Sequence, residues 1–478
     1  MNTTAASCLT VPSLAEAALA PGFCAYQIPV EIEQPRSILS LGTSDFLALE
    51  RATSSVVHLF DIDNDGLADS RRSVAQAYRL NHGLAIHNEY LYASSDSEVY
   101  RWPITSSSTS WEVTEEESEL IVNNINRDGQ GGAPFGHTTR TLAFNDQGRL
   151  YISVGSAGNI DADSFRSRIR RFDLSDTAAF PLDFLQGEVF ADGLRNEVGL
   201  AFDRHGDLWG VENSADNLER DDIGGDITDD NPAEELNRFK EQDQGGNWGY
   251  PQCWTEFNLP DEFALGKGTI WAWPSFLDED TITDDECRAN TIPPIMALQA
   301  HSAPLGIAFY HWKDPEELPE ECPPNVAFPK EMDGYAFIAY HGSWNRRIPT
   351  GYKVVYVEMD ESGNPIGDSP VDLLSHVPNN AQWESGFRPV DVDFDDCGRL
   401  LVSSDGTRDS PQYRGSMIVR IEHTEDESQV IEPEDDGDTA PSLASFRAMY
   451  IHWSSFCLLL SLGLTSLLLV STIASHTL

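Results

Sequence analysis

Three segments of this chain repeat one another: LAFNDQGRLYISVG from residue 142, LAFDRHGDLWGVEN from residue 200 and VDFDDCGRLLVSSD from residue 392. Each reads as strand, tight turn and strand, because short apolar alternation flanks an Asn/Asp-to-Gly turn. GLAIHNEYLYASS from residue 83 is a weaker copy, and SDFLALERATSSVVHLFD and YAFIAYHGSWNRRIPTGYKVVYVEMD supply two further hairpin groups. A hairpin that exposes an apolar face must stack on a neighbour, and about six such units close into a ring that leaves no free sheet edge. The expectation is an all-β fold, a six-bladed β-propeller over residues 20–424. The uneven spacing leaves a seven-bladed ring or a double-sheet sandwich open.

Composition narrows the partners. With 31 basic and 78 acidic residues the net charge is -47, which repels phosphate backbones and argues against nucleic acid. A 40% hydrophobic content with 11 Trp supplies enough apolar surface for a folded core. The seven cysteines lack the close paired spacing of a zinc site. Cys457 lies in the apolar tail, which leaves six for structural disulfides in an oxidising compartment, with Cys253–Cys287 the expected pair.

The two ends carry different signals. Residues 1–19 form an N-terminal extension without the basic start and continuous apolar run of a secretory signal. Residues 425–445 read as an acidic linker, and 446–478 as a hydrophobic anchor segment, since 451–474 contain no charge and are long enough to cross a bilayer. Small residues at 439–445 ahead of that run fit a glycolipid attachment signal, and a single transmembrane helix is the rival. Either places the folded part extracellular, at the cell surface and held to the membrane by its tail.

The residues that carry chemistry stand just ahead of the repeated strands, where a propeller's loops converge on its channel. GGAPFGHTTRTLAF places His137 and Arg140 before one strand, and ADGLRNEVGLAF places Arg195 and Asn196 before the next. An imidazole that accepts a proton near neutral pH beside a permanently charged guanidinium suits hydride abstraction from an alcohol. The plainer reading is that His137 caps a turn and Arg195 bonds loop carbonyls. Residues 61–69, DIDNDGLAD, space their carboxylates as calcium loops do but lack the closing Glu, since Arg72 stands there. Residues 221–230 read as an acidic surface insertion.

The segments GHTTRTLAF, LYISVGSAGN, GLRNEVGLAF, GGNWGYPQCW, AHSAPLGIAFY and AYHGSWNRRIPTGYKV occur in an order that resembles the pyrroloquinoline quinone-dependent glucose/sorbosone and pyranose dehydrogenases. That resemblance implies a quinoprotein oxidoreductase that oxidises the C1 hydroxyl of an aldose or pyranose to a lactone and passes the electrons to an external acceptor. It implies pyrroloquinoline quinone and calcium as cofactors. His137 resembles the family's general base. Arg195 would face the quinone oxygens with Asn196 beside it, Arg140 would join the cofactor contacts, and Arg346, ahead of Arg347, would pair with the cofactor's carboxylates. Ser214 and Ala215 would offer carbonyls to calcium, with Asp216 able to enter the coordination. Two departures stand out: bacterial glucose enzymes have Gly-Pro at that metal loop, and an aspartate where Ser156 stands here. His301 and His341 are further channel candidates. The competing readings are a cofactor-less propeller used for binding or adhesion at the cell surface, and a calcium-dependent lactonase, which the motif order fits poorly.

Overall fold

The computed structural model describes residues 8, 11–107, 110–114, 117–126, 137–162, 165–174, 179–377, 382–407 and 414–424. The chain separates into two units, Met1–Asp426 and Glu427–Leu478, and every described residue lies in the first.

Six antiparallel blades follow one another along the chain. Blade 1 is Pro35–Ser40, Phe46–Glu50, Ser55–Phe60 and Ser70–Gln76; blade 2 is Leu84–His87, Tyr90–Ser94, Val99–Ser107 and Glu119–Asn123. Blade 3 is Leu142–Phe144, Arg149–Val154, Arg168–Asp173 and Glu188–Asp192; blade 4 is Glu197–Phe202, Leu208–Glu212, Glu234–Phe239 and Met296–Leu298. Blade 5 is Pro304–Phe309, Ala336–Tyr340, Lys353–Val357 and Val371–His376, with Ala17–Leu19 at its rim. Blade 6 takes Pro389–Phe394, Leu400–Asp405 and Ser416–His423 from the end of the fold and Phe23–Gln27 from its beginning, pairing Phe23 with His423 and Gln27 with Val419. The ring is thus six-bladed, and its first and last segments share one sheet, which removes the edge that an open ring would expose.

The repeats of the sequence are the innermost hairpins of blades 2, 3, 4 and 6, whereas the two further hairpin groups are the second and third strands of blades 1 and 5. The turn is the same in blades 3, 4 and 6. A side-chain oxygen of Asn145, Asp203 or Asp395 accepts the amides two and four residues on, at 2.8–3.1 Å. Gly148, Gly206 and Gly398 then take φ of 76, 82 and 72°, which a side chain would resist.

Alternate strand faces pack between blades. Leu47, Leu49 and Val56 of blade 1 meet Leu91, Ala93 and Trp102 of blade 2; Phe337, Val354 and Leu373 of blade 5 meet Val392, Leu400 and Val419 of blade 6. Each such buried side chain contributes about 1.5–3 kcal/mol by removal from water.

Among the described residues three disulfides form: Cys8–Cys24, Cys253–Cys287 and Cys322–Cys397. The second, the pair expected from sequence, staples an insertion in blade 4 that carries the strand pair Cys253–Thr255 and Ile270–Ala272 and the short helices Pro274–Asp278 and Asp284–Asn290. Among the described residues no helix is long and apolar enough to cross a membrane, and the tail expected to anchor the chain lies outside them. In the acidic turn at 61–69, Asp61 caps the amides of Asn64 and Gly66 at 2.7 Å, and carboxylate oxygens of Asp61, Asp63 and Asp65 lie within 4.8 Å of one another.

Candidate active site

Each blade's innermost strand is entered from the same mouth of the ring, and a basic or titratable residue stands at each entry: Arg36, His82, His137 with Arg140, Arg195, His301 and Arg388. Polar contacts at this mouth join every neighbouring pair of blades. Arg36 donates to His82 at 3.3 Å, Asn81 to the Thr138 carbonyl at 2.9 Å, and the Ser156 amide to the Arg195 carbonyl at 2.7 Å. His301 lies 3.5 Å from Asp216, and Asp405 joins His341 and Arg36, each at 2.8 Å. A chain of net charge -47 thus sets Arg36, Arg195 and Arg388 around one opening, with Asp216 and Asp405 among them.

His137 is set by Ser156. Its Nδ1 lies 3.0 Å from both the carbonyl oxygen and the Oγ of Ser156. Ser156 Oγ spends its own hydrogen on the Gly158 carbonyl at 2.6 Å, so toward His137 it can only accept. Nδ1 therefore carries the proton and Nε2 keeps its lone pair. Burial, reinforced by the nearby Arg195 charge, pushes the imidazole down to about 3, so the ring is neutral at physiological pH. Gly155 lets the partners close in, since a Cβ there would fall 2.4 Å from Asn196 Oδ1 and 2.6 Å from His137 Cβ. His137 and Asn196, adjacent-blade candidates in the sequence, are thus brought together.

Arg195 sits in a nest of oxygens. Its guanidinium donates to the Asn159 carbonyl (3.2 Å) and Oδ1 (3.1 Å), the Asn213 and Ser214 carbonyls (3.1 and 2.5 Å) and Asp216 Oδ2 (3.0 Å). The plainer sequence reading, that Arg195 bonds loop carbonyls, thus describes part of its environment. The same loop was the expected calcium loop, and its oxygens already converge on a positive group. Neutral carbonyls plus one carboxylate are a donor set of the kind calcium accepts, and here the Ser214 carbonyl and Asp216 Oδ2 are held by Arg195. Asp216 also accepts from Asn345 at 2.7 Å. Burial would raise its carboxyl, but His301 and Arg195 outweigh that and hold it low, while Asp216 in turn raises His301. Ala215 turns its side chain into an apolar cluster with Leu218 and Trp254.

Other candidates fall differently. Arg140 is wholly buried and donates to the carbonyls of Asp96, His137 and Thr139, bracing the His137 loop, while its other terminal nitrogen has no partner among the described residues. Arg346 and Arg347 pair with Asp230 and Asp229, which gives the acidic insertion a purpose that sequence did not suggest: it holds the basic loop against blade 4. His341 is pushed down to about 4 by burial and Arg388. Sequence reading missed Asn159, which grips both Arg195 and Asp216, although it ends a quoted motif. It also missed His82, whose signal is its place two residues before an inner strand, as Arg140 and Arg195 are.

Comparison with known proteins bears on this mouth. The family described as TrAA12-like matches residues 17–410. The chain is 33% identical over 411 residues to the pyrroloquinoline quinone-dependent sugar dehydrogenase of Hypocrea jecorina (strain QM6a), covering 80% of this chain and 85% of that protein. It is 30% identical over 417 residues to the pyrroloquinoline quinone-dependent pyranose dehydrogenase of Coprinopsis cinerea, covering 81% of this chain and 53%, about half, of that relative. The calcium structure of a Trichoderma reesei protein of carbohydrate-active enzymes family AA12 superposes with a TM-score of 0.71 at 30% identity, over 87% of this chain and 99% of that one. The holo form of the pyranose dehydrogenase PQQ domain from Coprinopsis cinerea gives 0.69 at 28% identity, over 86% and 98%. The family match enters at the rim strand of blade 5 and runs past the second strand of blade 6, so that it takes in all six strand entries that ring the mouth, and the chain belongs to the TrAA12-like family.

Proposed function

We propose that this chain is a quinoprotein sugar dehydrogenase that oxidises the C1 hydroxyl of an aldose or pyranose to a lactone, with pyrroloquinoline quinone and calcium at the basic mouth and electrons passed to an external acceptor. The observation that carries this is a neutral His137, whose Nε2 keeps its lone pair, next to the buried Arg195. The quinone, when bound, supplies a two-electron hydride acceptor.

His137 Nε2 takes the proton of the anomeric hydroxyl, and Ser156 holds the ring in the tautomer that allows it. Arg195 and Asn196 present positive charge and a hydrogen bond to oxygens that become negative during the reaction. The carbonyls of Ser214 and Ala215 with Asp216 would hold calcium, and Arg346 would meet an acidic group of the cofactor. The tail at 446–478 is read as the cell-surface anchor, supported by its uncharged run at 451–474.

The test is an absorbance titration of the purified protein with the quinone and calcium, followed by sugar turnover. The wild type should form stoichiometric holoenzyme. His137→Ala should bind the quinone equally and lose about 10²–10⁴ in rate, as expected for a general base. Failure to bind the quinone, or near wild-type turnover of His137→Ala, would remove the respective assignment.

A further inference from the structure

Glu234 opens the third strand of blade 4 and is 4% exposed. Its two oxygens each accept one backbone amide: Oε2 that of Ser214 at 2.6 Å, and Oε1 that of Ala303 at 3.2 Å. Ser214 follows the second strand of blade 4, and Ala303 is the last residue before the inner strand of blade 5. One buried side chain thus ties together loops of two neighbouring blades.

Peptide planarity carries this hold further. In a trans peptide the N–H and the C=O point to opposite sides, so fixing one aims the other. Behind the Ser214 amide is the Asn213 carbonyl, which accepts from Arg195 at 3.1 Å. Behind the Ala303 amide is the Ser302 carbonyl, which accepts the Gly342 amide at 2.9 Å, and a Cβ on Gly351 would come within 2.7 Å of the same oxygen. Gly342 and Gly351 bracket the loop that carries Asn345 and Arg346. The blade 5 turn also needs to be held, since His301 and Ala303 take φ of 59 and 53°, left-handed backbone that residues with side chains avoid.

We propose that Glu234 is a positioning residue of the sugar oxidation, which orients two peptide planes and through them sets Arg195 on one side and the Arg346 loop on the other. It acts through the backbone. The role rests on the quinone reading above, because Arg195 and Arg346 are the groups it serves. A carboxylate offers one acceptor to each amide, whereas a Gln side chain has a single acceptor and turns its NH2 against the second N–H. A buried N–H left in that state favours a turned peptide plane, which takes a carbonyl away from Arg195 or from Gly342.

The test compares Glu234→Gln with the wild type as full chains. Quinone affinity is read by absorbance titration with calcium present, kcat and KM for sugar at saturating quinone, and melting on the quinone-free proteins. Glu234→Gln should bind the quinone about tenfold more weakly and turn over about tenfold more slowly, the size expected when one buried donor loses its partner, with the sugar KM little changed. Glu234→Asp keeps two acceptors on a shorter stem and should recover part of both losses. Should the Gln variant not fold, the Asp variant decides, and weaker quinone binding with slower turnover than wild type supports the role. A lowered melting temperature with quinone affinity and kcat at wild-type values would overturn the proposal and leave Glu234 a structural tie. Wild-type protein that took up no quinone would instead remove the dehydrogenase reading, and this role with it.

Discussion

Ser156 shows how much a single neutral residue can settle. A histidine has two tautomers, and here its carbonyl and an already committed hydroxyl leave His137 with one. The imidazole stays neutral above about 3, so its base form is available throughout the physiological range, and the acid limb of kcat/KM should lie well below the usual histidine value of about 6.5. Ser156→Asp adds an anion beside Nδ1, which favours the imidazolium and raises its pKa. The acid limb should therefore move to higher pH, read from pH–rate profiles of the two proteins. A change in rate with the limb unmoved would reduce Ser156 to packing. The serine itself was legible as a departure from an expected aspartate, but its double hold on His137 was not, because the Gly158 carbonyl that commits its hydroxyl is contributed by loop geometry.

At the scale of elements, the hairpins and their closure into a ring were legible, and the strand that closes it was not. The alternating apolar pattern and the Asn/Asp-to-Gly turn are local, so blades 2, 3, 4 and 6 announce themselves. The strand Phe23–Gln27 gives no hint that its partner begins nearly 400 residues later at Ser416, since the register is decided by which edge is left unpaired when the ring closes. Deleting residues 1–28 removes the outer strand of blade 6 together with the Cys8–Cys24 bridge. The melting temperature of the deleted protein should fall sharply, or the chain should aggregate through the exposed edge of Ser416–His423. An unchanged melting curve would show that the ring does not need this strand.

For the molecule as a whole, the blade pattern ends with Ser416–His423, and the acidic linker and apolar tail follow. A chain ending near Glu432 keeps every described strand, so it should be soluble, melt as a folded protein and bind the quinone as the full chain does. Loss of folding on that truncation would make the tail part of the fold, and partitioning of the truncated protein into detergent would remove the anchor reading.

Local order set by the chain itself reaches a long way here. The periodicity of apolar residues determined strand after strand, the glycine turns determined where they reverse, and the motif order pointed to His137, Arg195 and Asn196 at one mouth. Those signals are local because strand propensity and turn chemistry act within a few residues. The six-bladed ring was expected from the repeats; tertiary structure alone decided that the N-terminal strand closes it. It decided that Arg140 commits most of its guanidinium to the carbonyls of Asp96, His137 and Thr139. It also set Asp216 and Asp405 as the anions that join neighbouring blades, and made Glu197, Glu212 and Glu235 neighbours in a buried patch. Each of these rests on side chains from separate blades or strands meeting at a distance of a few ångströms, which is a property of the closed ring and has no periodic trace in the chain.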